Sequence, residues 1–217
     1  MKTKETYRDA LHKIKSYKIE EVSQKLIIDS ICEFGLVFDN RDIYGDYKKY
    51  MNSNGELGLW QRPIQLSECI LYLLKNCSKI NSFLEIGTHK ALTFLIFREF
   101  LFLQNPDLES LTIDPIKFVS DDFLKFFSIN YQNTRASSIE KNYDLIFIDG
   151  DHAYNSVKKD FELALKLNPK YILFHDIVDK NCPGVVRFWS EIKKDFKNYH
   201  EFTDSNDLMG LGLIVLT

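Results

Sequence analysis

The pattern of apolar and polar positions changes character near residue 80. Before it, apolar residues recur at helical spacing. Tyr7, Ala10, Leu11, Ile14 and Tyr17 form one such series, and Val22, Leu26 and Ile27 another. Gly35 marks the end of this helical stretch. Residues 39–58 are polar, aromatic and punctuated by glycine, which predicts a loop region over the surface. A further helix carries Cys69, Ile70, Leu73, Leu74 and Cys77 on one face. From residue 81 onward, short apolar runs alternate with helical segments.

The runs Phe83–Ile86, Ser110–Ile113, Asp144–Ile148 and Tyr171–Phe174 read as strands, with a weaker one near 129–135. Helices are expected at 91–103, near 121–127, at 156–167 and at 185–196, the last opened by Pro183-Gly184. Residues 199–203 and 211–216 form two strands joined by the short turn D-S-N-D, with no helix between them, so they should pair antiparallel. The expected fold is α/β: a doubly wound, seven-stranded mixed sheet of five parallel strands plus an antiparallel hairpin. Residues 1–80 read as an N-terminal helical cap and flap, and residues 81–217 as the catalytic core, the two making one folding unit.

Composition narrows the class. The 217 residues are 45% hydrophobic, enough for a packed core. The net charge is −3 and basic residues are scattered, which argues against nucleic acid as the main partner. The start, M-K-T-K-E-T-Y-R-D, has no apolar stretch after it, so no signal peptide is read there. No run has the length of a membrane span; the apolar segment 91–103 is interrupted by Arg98 and Glu99. Cys32, Cys69, Cys77 and Cys182 lack C-x-x-C spacing and suit core packing in a reducing, cytoplasmic setting.

The strand ends carry the chemistry. In Glu85-Ile-Gly87-Thr88-His89-Lys90-Ala91 a strand turns into a helix, and Gly87 would let backbone approach a ligand. The helix start would favour negative charge, such as a carboxylate. The G-x-G-x-x-G fingerprint is absent. Glu85 would repel a pyrophosphate and suit a cationic amine. Asp114 lies 27 residues past Gly87 at the end of the next strand, where an acid can accept both ribose hydroxyls. Its alternative is a cap on the turn before Pro115. Asp149, Asp151 and His152 end the fourth strand, and His175 and Asp176 the fifth. Ligands from these two strand ends can converge on a divalent ion, of the Mg²⁺, Mn²⁺ or Ca²⁺ type. His152 can act as a general base, or it can cap the helix that follows. His89 is expected to be a loop contact, and His12 and His200 surface residues. Trp60-Gln61-Arg62-Pro63 either covers a cofactor or only opens a helix at Pro63. Tyr44, Tyr47 and Tyr50 either line an acceptor pocket or form a hydrophobic flap.

The set E-I-G-T-x-x-A, I-D-P, I-D-G-D-H-x-Y, F-H-D and P-G-V-x-x-F-W resembles class I S-adenosylmethionine-dependent methyltransferases. It is similar to the small bacterial group with the I-D-G-D-H-x-Y signature, related to metal-dependent O-methyltransferases, and the resemblance covers roughly residues 57–217. It implies a Rossmann-like methyltransferase fold with S-adenosyl-L-methionine as cofactor. By that resemblance Glu85, Gly87 and Thr88 follow the methionine part, Asp114 holds the ribose, and Ser137 or Ser138 lies beside the adenine. Gln61 and Asp149 complete the cofactor side. Asp149, His152 and Asp151 would be catalytic, and Asp149, His175 and Asp176 would hold the metal. The catechol-type enzymes carry a carboxylate where this chain has His175, and a neutral imidazole there should weaken magnesium binding. The family's third loop glycine is Ala91 here.

The leading expectation is transfer of a methyl group to a small acceptor, a hydroxyl of a sugar, glycan precursor or other small molecule. The alternatives are a protein or nucleic-acid methyltransferase and a non-catalytic S-adenosylmethionine-binding module. The Asp-Pro-Pro-aromatic pattern of adenine-N6 enzymes is absent after the fourth strand, where the chain reads Asp149-Gly-Asp-His. Neither membrane nor nucleic acid is expected as a partner, and a homo-oligomer is compatible with the sequence.

Overall fold

A computed structural model describes residues 2–53, 57–205 and 207–216. Seven strands form one sheet: β1 (Ser82–Ile86), β2 (Glu109–Ile113), β3 (Tyr131–Gln132), β4 (Leu145–Ile148), β5 (Tyr171–His175), β6 (Tyr199–Phe202) and β7 (Leu211–Val215). Their order is β3-β2-β1-β4-β5-β7-β6. The pairs among β1 to β5 are parallel, while β7 runs antiparallel to both β5 and β6. The mixed sheet and its hairpin therefore match the sequence expectation.

Helices α1 (Lys4–Lys15), α2 (Gln24–Phe34) and α3 (Pro63–Asn76) precede the sheet. Then come α4 (Leu92–Gln104), α5 (Asp121–Phe126), α6 (Tyr154–Lys166) and α7 (Pro183–Ile192). Local chemistry sets their ends. Thr3 and Thr6 form a reciprocal cap on α1, Ser23 caps α2, and Gly35 stops α2 at a φ of 80°. Pro63 starts α3, where its missing N–H is no loss.

Several boundaries differ from the sequence pattern. The expected strand at 129–135 shrinks to the two residues of β3. Helix α4 begins at Leu92, because Ala91 sits in the left-handed region at φ 63°. Helix α6 begins at Tyr154, two residues early, and α7 gives way to a single tight turn at Lys193–Asp195. The expected loop at 39–58 includes residues 54–56, and the hairpin turn includes residue 206; these lie outside the described residues. Among the described residues, no helix is long and apolar enough to cross a membrane.

Strand alternation divides the interior. Phe83, Phe147 and Leu173 face a core shared with Tyr7, Ile14, Ile27, Leu66 and Phe94 of the helices α1 to α4. Leu84, Ile86, Ile146, Ile172 and Phe174 face α6 and α7, represented by Phe161, Phe188 and Trp189. The segment after α2 runs back over the sheet, with Leu36 bridging Met51 and Leu59. Arg62 fixes its far end. It donates to the Ile43 carbonyl and reaches Asp204 from Nε at 2.7 Å and Nη2 at 2.6 Å. Strand order reverses between β1 and β4, so the crevice at the carboxyl ends of these strands is where such a sheet holds a ligand.

Candidate functional site

A cleft of about 850 Å³ opens at this end of the sheet. Its floor comes from the turns after β1, β2, β4 and β5, and its upper wall from Arg41, Gly58, Trp60 and Gln61. Gly87, Thr88, Asp114, Ser137, Asp149, Asp151, His152, His175, Asp176 and Gln61 all line it.

The first turn is set by backbone packing. Gly87 has a φ of 104°, and a Cβ built there would lie 2.0 Å from the Asp149 carbonyl oxygen. Its missing side chain thus lets the end of β1 pass the end of β4, an approach of protein to protein. Gly150 has room: the nearest atom to a built Cβ is 3.6 Å away. The φ of 63° at Ala91 explains why a glycine suits that position, since the left-handed region costs an L-residue roughly 1–2 kcal/mol.

Glu85 differs from expectation. It alternates with Leu84, points to the helix side with Phe83, is buried, and does not line the cleft. Burial pushes its carboxyl well above the ordinary range, while the Thr112 hydroxyl donates to it at 2.6 Å. The Thr88 hydroxyl pairs with Thr112 at 2.7 Å. Asp114 accepts the backbone N–H of Ile116 at 2.8 Å and of His89 at 3.1 Å. It therefore shapes the two turns that border it, as the alternative reading of a turn cap expects, while it also lines the cleft. Ser138 lies outside the cleft lining, unlike Ser137. His89 is at the mouth, its ring 6.3 Å from Trp60 and 5.5 Å from Phe118.

The turns after β4 and β5 meet in a charged cluster. His175 Nδ1 is 3.0 Å from Asp149 Oδ1 and 3.3 Å from Asp176 Oδ2. Burial works against a charge on His175, but the two carboxylates outweigh it and raise its pKa well above the usual value. The two flanking carboxylates thus draw toward its charged form an imidazole that the sequence treats as neutral. Burial likewise opposes ionisation of Asp176, yet His175 and His152 hold its carboxyl far below the usual range. Asp176 has a φ of 60°, a strained position for a side-chain-bearing residue and of a kind that clusters at functional sites. His152 Nε2 is 3.1 Å from Asp176 Oδ2, with about half of the His152 side chain open to the cleft. The Asp176 hydrogen bond raises its pKa. Gln61 Nε2 approaches the other Asp149 oxygen at 3.4 Å.

No side chain caps α6, whose N-cap is Ala153, so His152 is not its cap; Asp151 instead braces the turn that leads into the helix. Asp151 accepts from the Ala153 N–H at 3.2 Å and the Ser156 hydroxyl at 2.6 Å, which lowers its pKa. Tyr44, Tyr47 and Tyr50 do not line the cleft; Tyr44 is buried and donates to the Leu59 carbonyl at 3.3 Å. His12 is exposed, whereas His200 is half-buried 2.5 Å from the Tyr72 hydroxyl.

Other cleft residues were not singled out from the sequence. Arg41, Asp179, Asn181 and Cys182 border its β5 side. Gly184 holds that side together: a Cβ there would meet the His152 carbonyl at 2.3 Å and the Tyr154 nitrogen at 2.4 Å. The pair Pro183-Gly184 is the visible signal, which the sequence marks as a helix start and as part of P-G-V-x-x-F-W, without pointing to this contact.

The donor spacing suits a divalent ion. Metal–oxygen bonds of about 2.1 Å at right angles separate neighbouring ligands by roughly 3 Å, close to the 3.0 and 3.3 Å around His175 Nδ1. Asp149, His175 and Asp176 each offer one atom within 4.8 Å of the others.

Comparison with known proteins bears on the fold. Residues 84–177 match the family model of a methyltransferase domain. An uncharacterised protein, y4gI of Sinorhizobium fredii (strain NBRC 101917 / NGR234), is 26% identical over 131 residues, half of this chain. The match spans only 14% of that protein's length. The O-methyltransferase TomG of Streptomyces achromogenes, involved in tomaymycin synthesis and solved with S-adenosylmethionine, superposes with a TM-score of 0.56. It is 16% identical, with all of both chains covered. The Bacillus cereus O-methyltransferase, solved with S-adenosylhomocysteine, gives 0.52 at 17% identity, over 71% of this chain and 82% of its own. At such identities the likeness is one of fold, and the fold is the Rossmann-like methyltransferase fold.

Proposed function

We propose that this protein is an S-adenosylmethionine-dependent O-methyltransferase acting on the hydroxyl of a small molecule, with sugars the favoured class. The observation that carries the reading is the continuity of one cleft. It joins the Gly87 and Asp114 turns to the half-open His152–Asp176 pair. The first part offers a cofactor cradle and the second a proton acceptor. The methyltransferase-domain match over residues 84–177 supports the same reading.

Asp114 would accept the ribose hydroxyls on lone pairs its two backbone N–H donors leave free. Ser137 and the exposed Ile116 flank the space beyond it. Trp60 is 42% exposed at the mouth, and Arg41, Asp179 and Asn181 line the same cleft. An aromatic face beside groups that hydrogen-bond hydroxyls suits a sugar ring. Bound S-adenosylmethionine supplies an electrophilic methyl group. His152 takes the acceptor's hydroxyl proton on the ring nitrogen not bonded to Asp176, and Asp176 orients the ring and stabilises the charge it gains. His175 keeps Asp149 and Asp176 in place by bridging them. Asp149, His175 and Asp176 are also the residues that would hold a divalent ion, which supplies Lewis-acid polarisation of a hydroxyl.

Two measurements test the proposal. Calorimetry should detect S-adenosylhomocysteine binding, and labelled S-adenosylmethionine should pass its methyl to a sugar or phenol panel. A folded protein that binds neither S-adenosyl compound refutes it. Binding without transfer to any acceptor would favour the non-catalytic module.

A further inference from the structure

On the β5 side of the cleft, donors from separate turns converge on one carboxylate. His152 Nε2 lies 3.1 Å from Asp176 Oδ2. The Cys182 thiol, buried ahead of α7, lies beside the same carboxylate. His152, Asp176 and Cys182 each present a ligand atom within 4.8 Å of the other two. A buried cysteine is ordinarily packed as a small apolar group. This one instead faces an imidazole and carboxylates. Burial, Asp176 and Asp179 all push the thiol pKa up. A coordinated cation reverses that balance, because a coordinating thiol is deprotonated outright.

We propose that His152, Asp176 and Cys182 form a binding site for a thiophilic divalent ion such as Zn²⁺. Nitrogen, oxygen and sulfur together are the donor set of zinc, and the sulfur disfavours Mg²⁺ and Ca²⁺. Zn–N and Zn–O bonds of about 2.0–2.1 Å at tetrahedral angles place the two ligand atoms roughly 3.3 Å apart. The observed 3.1 Å is close to this. Cys182 has to move inward by on the order of 1 Å, from a non-helical position at the start of α7. The open side of His152 leaves the fourth position to the cleft. Binding exchanges the thiol proton for a sulfur–metal bond and releases that proton to solvent, with no change of oxidation state. This set shares only Asp176 with Asp149, His175 and Asp176. On the reading of His152 as base, which the inhibition alone rests on, the ion occupies an imidazole nitrogen and suppresses methyl transfer.

Cobalt is the probe, since a cobalt–thiolate bond adds strong near-ultraviolet absorption. Co²⁺ titrated into the chelator-stripped full chain should produce that band at one ion per chain, and Zn²⁺ should displace it. Cys182→Ala should lose the band. Its Zn²⁺ affinity by calorimetry should fall by more than about 100-fold, beyond the 10–100-fold usual for a residue that only contacts a ligand. Asp149→Asn should keep both the band and the affinity. Melting curves verify that each variant is folded, and Cys182→Ser replaces Cys182→Ala if the latter is not. A parent protein without the band overturns the proposal. So does a folded Cys182 variant that binds Zn²⁺ as tightly as the parent, or an Asp149→Asn variant that loses it. None of these readouts requires methyl transfer, so the site stands or falls apart from the enzyme reading.

Discussion

Replacing Gly87 by alanine, with Gly150 as its companion, tests whether the first loop glycine acts through the fold or through a ligand. Two terms add at Gly87. Its φ of 104° is one that L-residues rarely adopt, and holding alanine there costs about 1–3 kcal/mol. The new Cβ would also lie 2.0 Å from the Asp149 carbonyl oxygen and 2.5 Å from its carbon. Both are backbone atoms at the end of the central strand β4, so no side chain can swing away. Overpacking of this kind costs about 1–3 kcal/mol. The sum is about 2–6 kcal/mol, which for a domain of this size lowers Tm by about 5–20 °C. Gly150 lacks a positive φ, and its nearest neighbours, Asp160 Oδ2 and the Ile86 carbonyl, stand at 3.6 and 3.7 Å. Gly150→Ala should be neutral or add about 0.4–1 kcal/mol by restricting the unfolded chain. Urea denaturation followed by circular dichroism, without ligand, measures both. A Gly87→Ala loss below about 1 kcal/mol, or equal losses at the two positions, would refute the packing argument.

His152→Ala should slow methyl transfer by on the order of 10²–10⁴, with S-adenosylhomocysteine affinity unchanged by calorimetry; a variant with a normal rate removes His152 as base. Asp114→Ala should weaken S-adenosylhomocysteine binding by about 1–3 kcal/mol, and unaltered affinity would leave Asp114 as a turn residue only. Burial raises the Asp160 carboxyl to about 6 from an ordinary 3.8. Between those values the folded chain binds a proton that the unfolded chain has released. The stability linked to it is therefore complete below about pH 4 and lost as pH rises through about 6. Asp160→Asn should flatten that decline in urea titrations at pH 5 and 8, and an identical decline in both proteins would contradict the assignment. In chelator-stripped protein, Mg²⁺ should raise the transfer rate; full activity in EDTA would leave Asp149, His175 and Asp176 as acceptor-binding or structural groups.

The sheet could be read from the sequence because buried parallel strands are short continuous apolar runs. Phe83–Ile86 and Tyr171–Phe174 sit within one residue of β1 and β5. The strand expected near 129–135 is shorter in the structure, since only Tyr131 and Gln132 pair with β2 and the polar residues Asn133 to Arg135 leave the sheet. Strand-end acids were legible too, but their direction was not. Glu85 and Gly87 are two residues apart, yet one faces the helix layer and the other the cleft, because the chain turns at the glycine. Side-chain partners from remote segments left no local trace. Arg62 with Asp204 spans 142 residues, and the approach of His152 to Asp176 and Cys182 depends on how α7 seats against the His152 turn. Spacing within a motif cannot encode such meetings; packing does.

The order of strands has a consequence for how the protein is made. β7 is the last strand in the chain, yet it lies between β5 and β6, and its Leu211 pairs with His175. During synthesis, β5 is therefore exposed along one edge until residue 215 has left the ribosome, since synthesis at about 5–20 residues per second proceeds from the amino end. The hairpin also delivers Asp204 to Arg62, next to Gln61 on the cleft wall. A nascent chain stopped at residue 200 would hold every acid and imidazole of the cluster, but have neither the strand that covers β5 nor the anion that anchors the wall. Ribosome-stalled chains of increasing length should thus acquire protease resistance around Ile43 and at 57–62 only after β7 emerges.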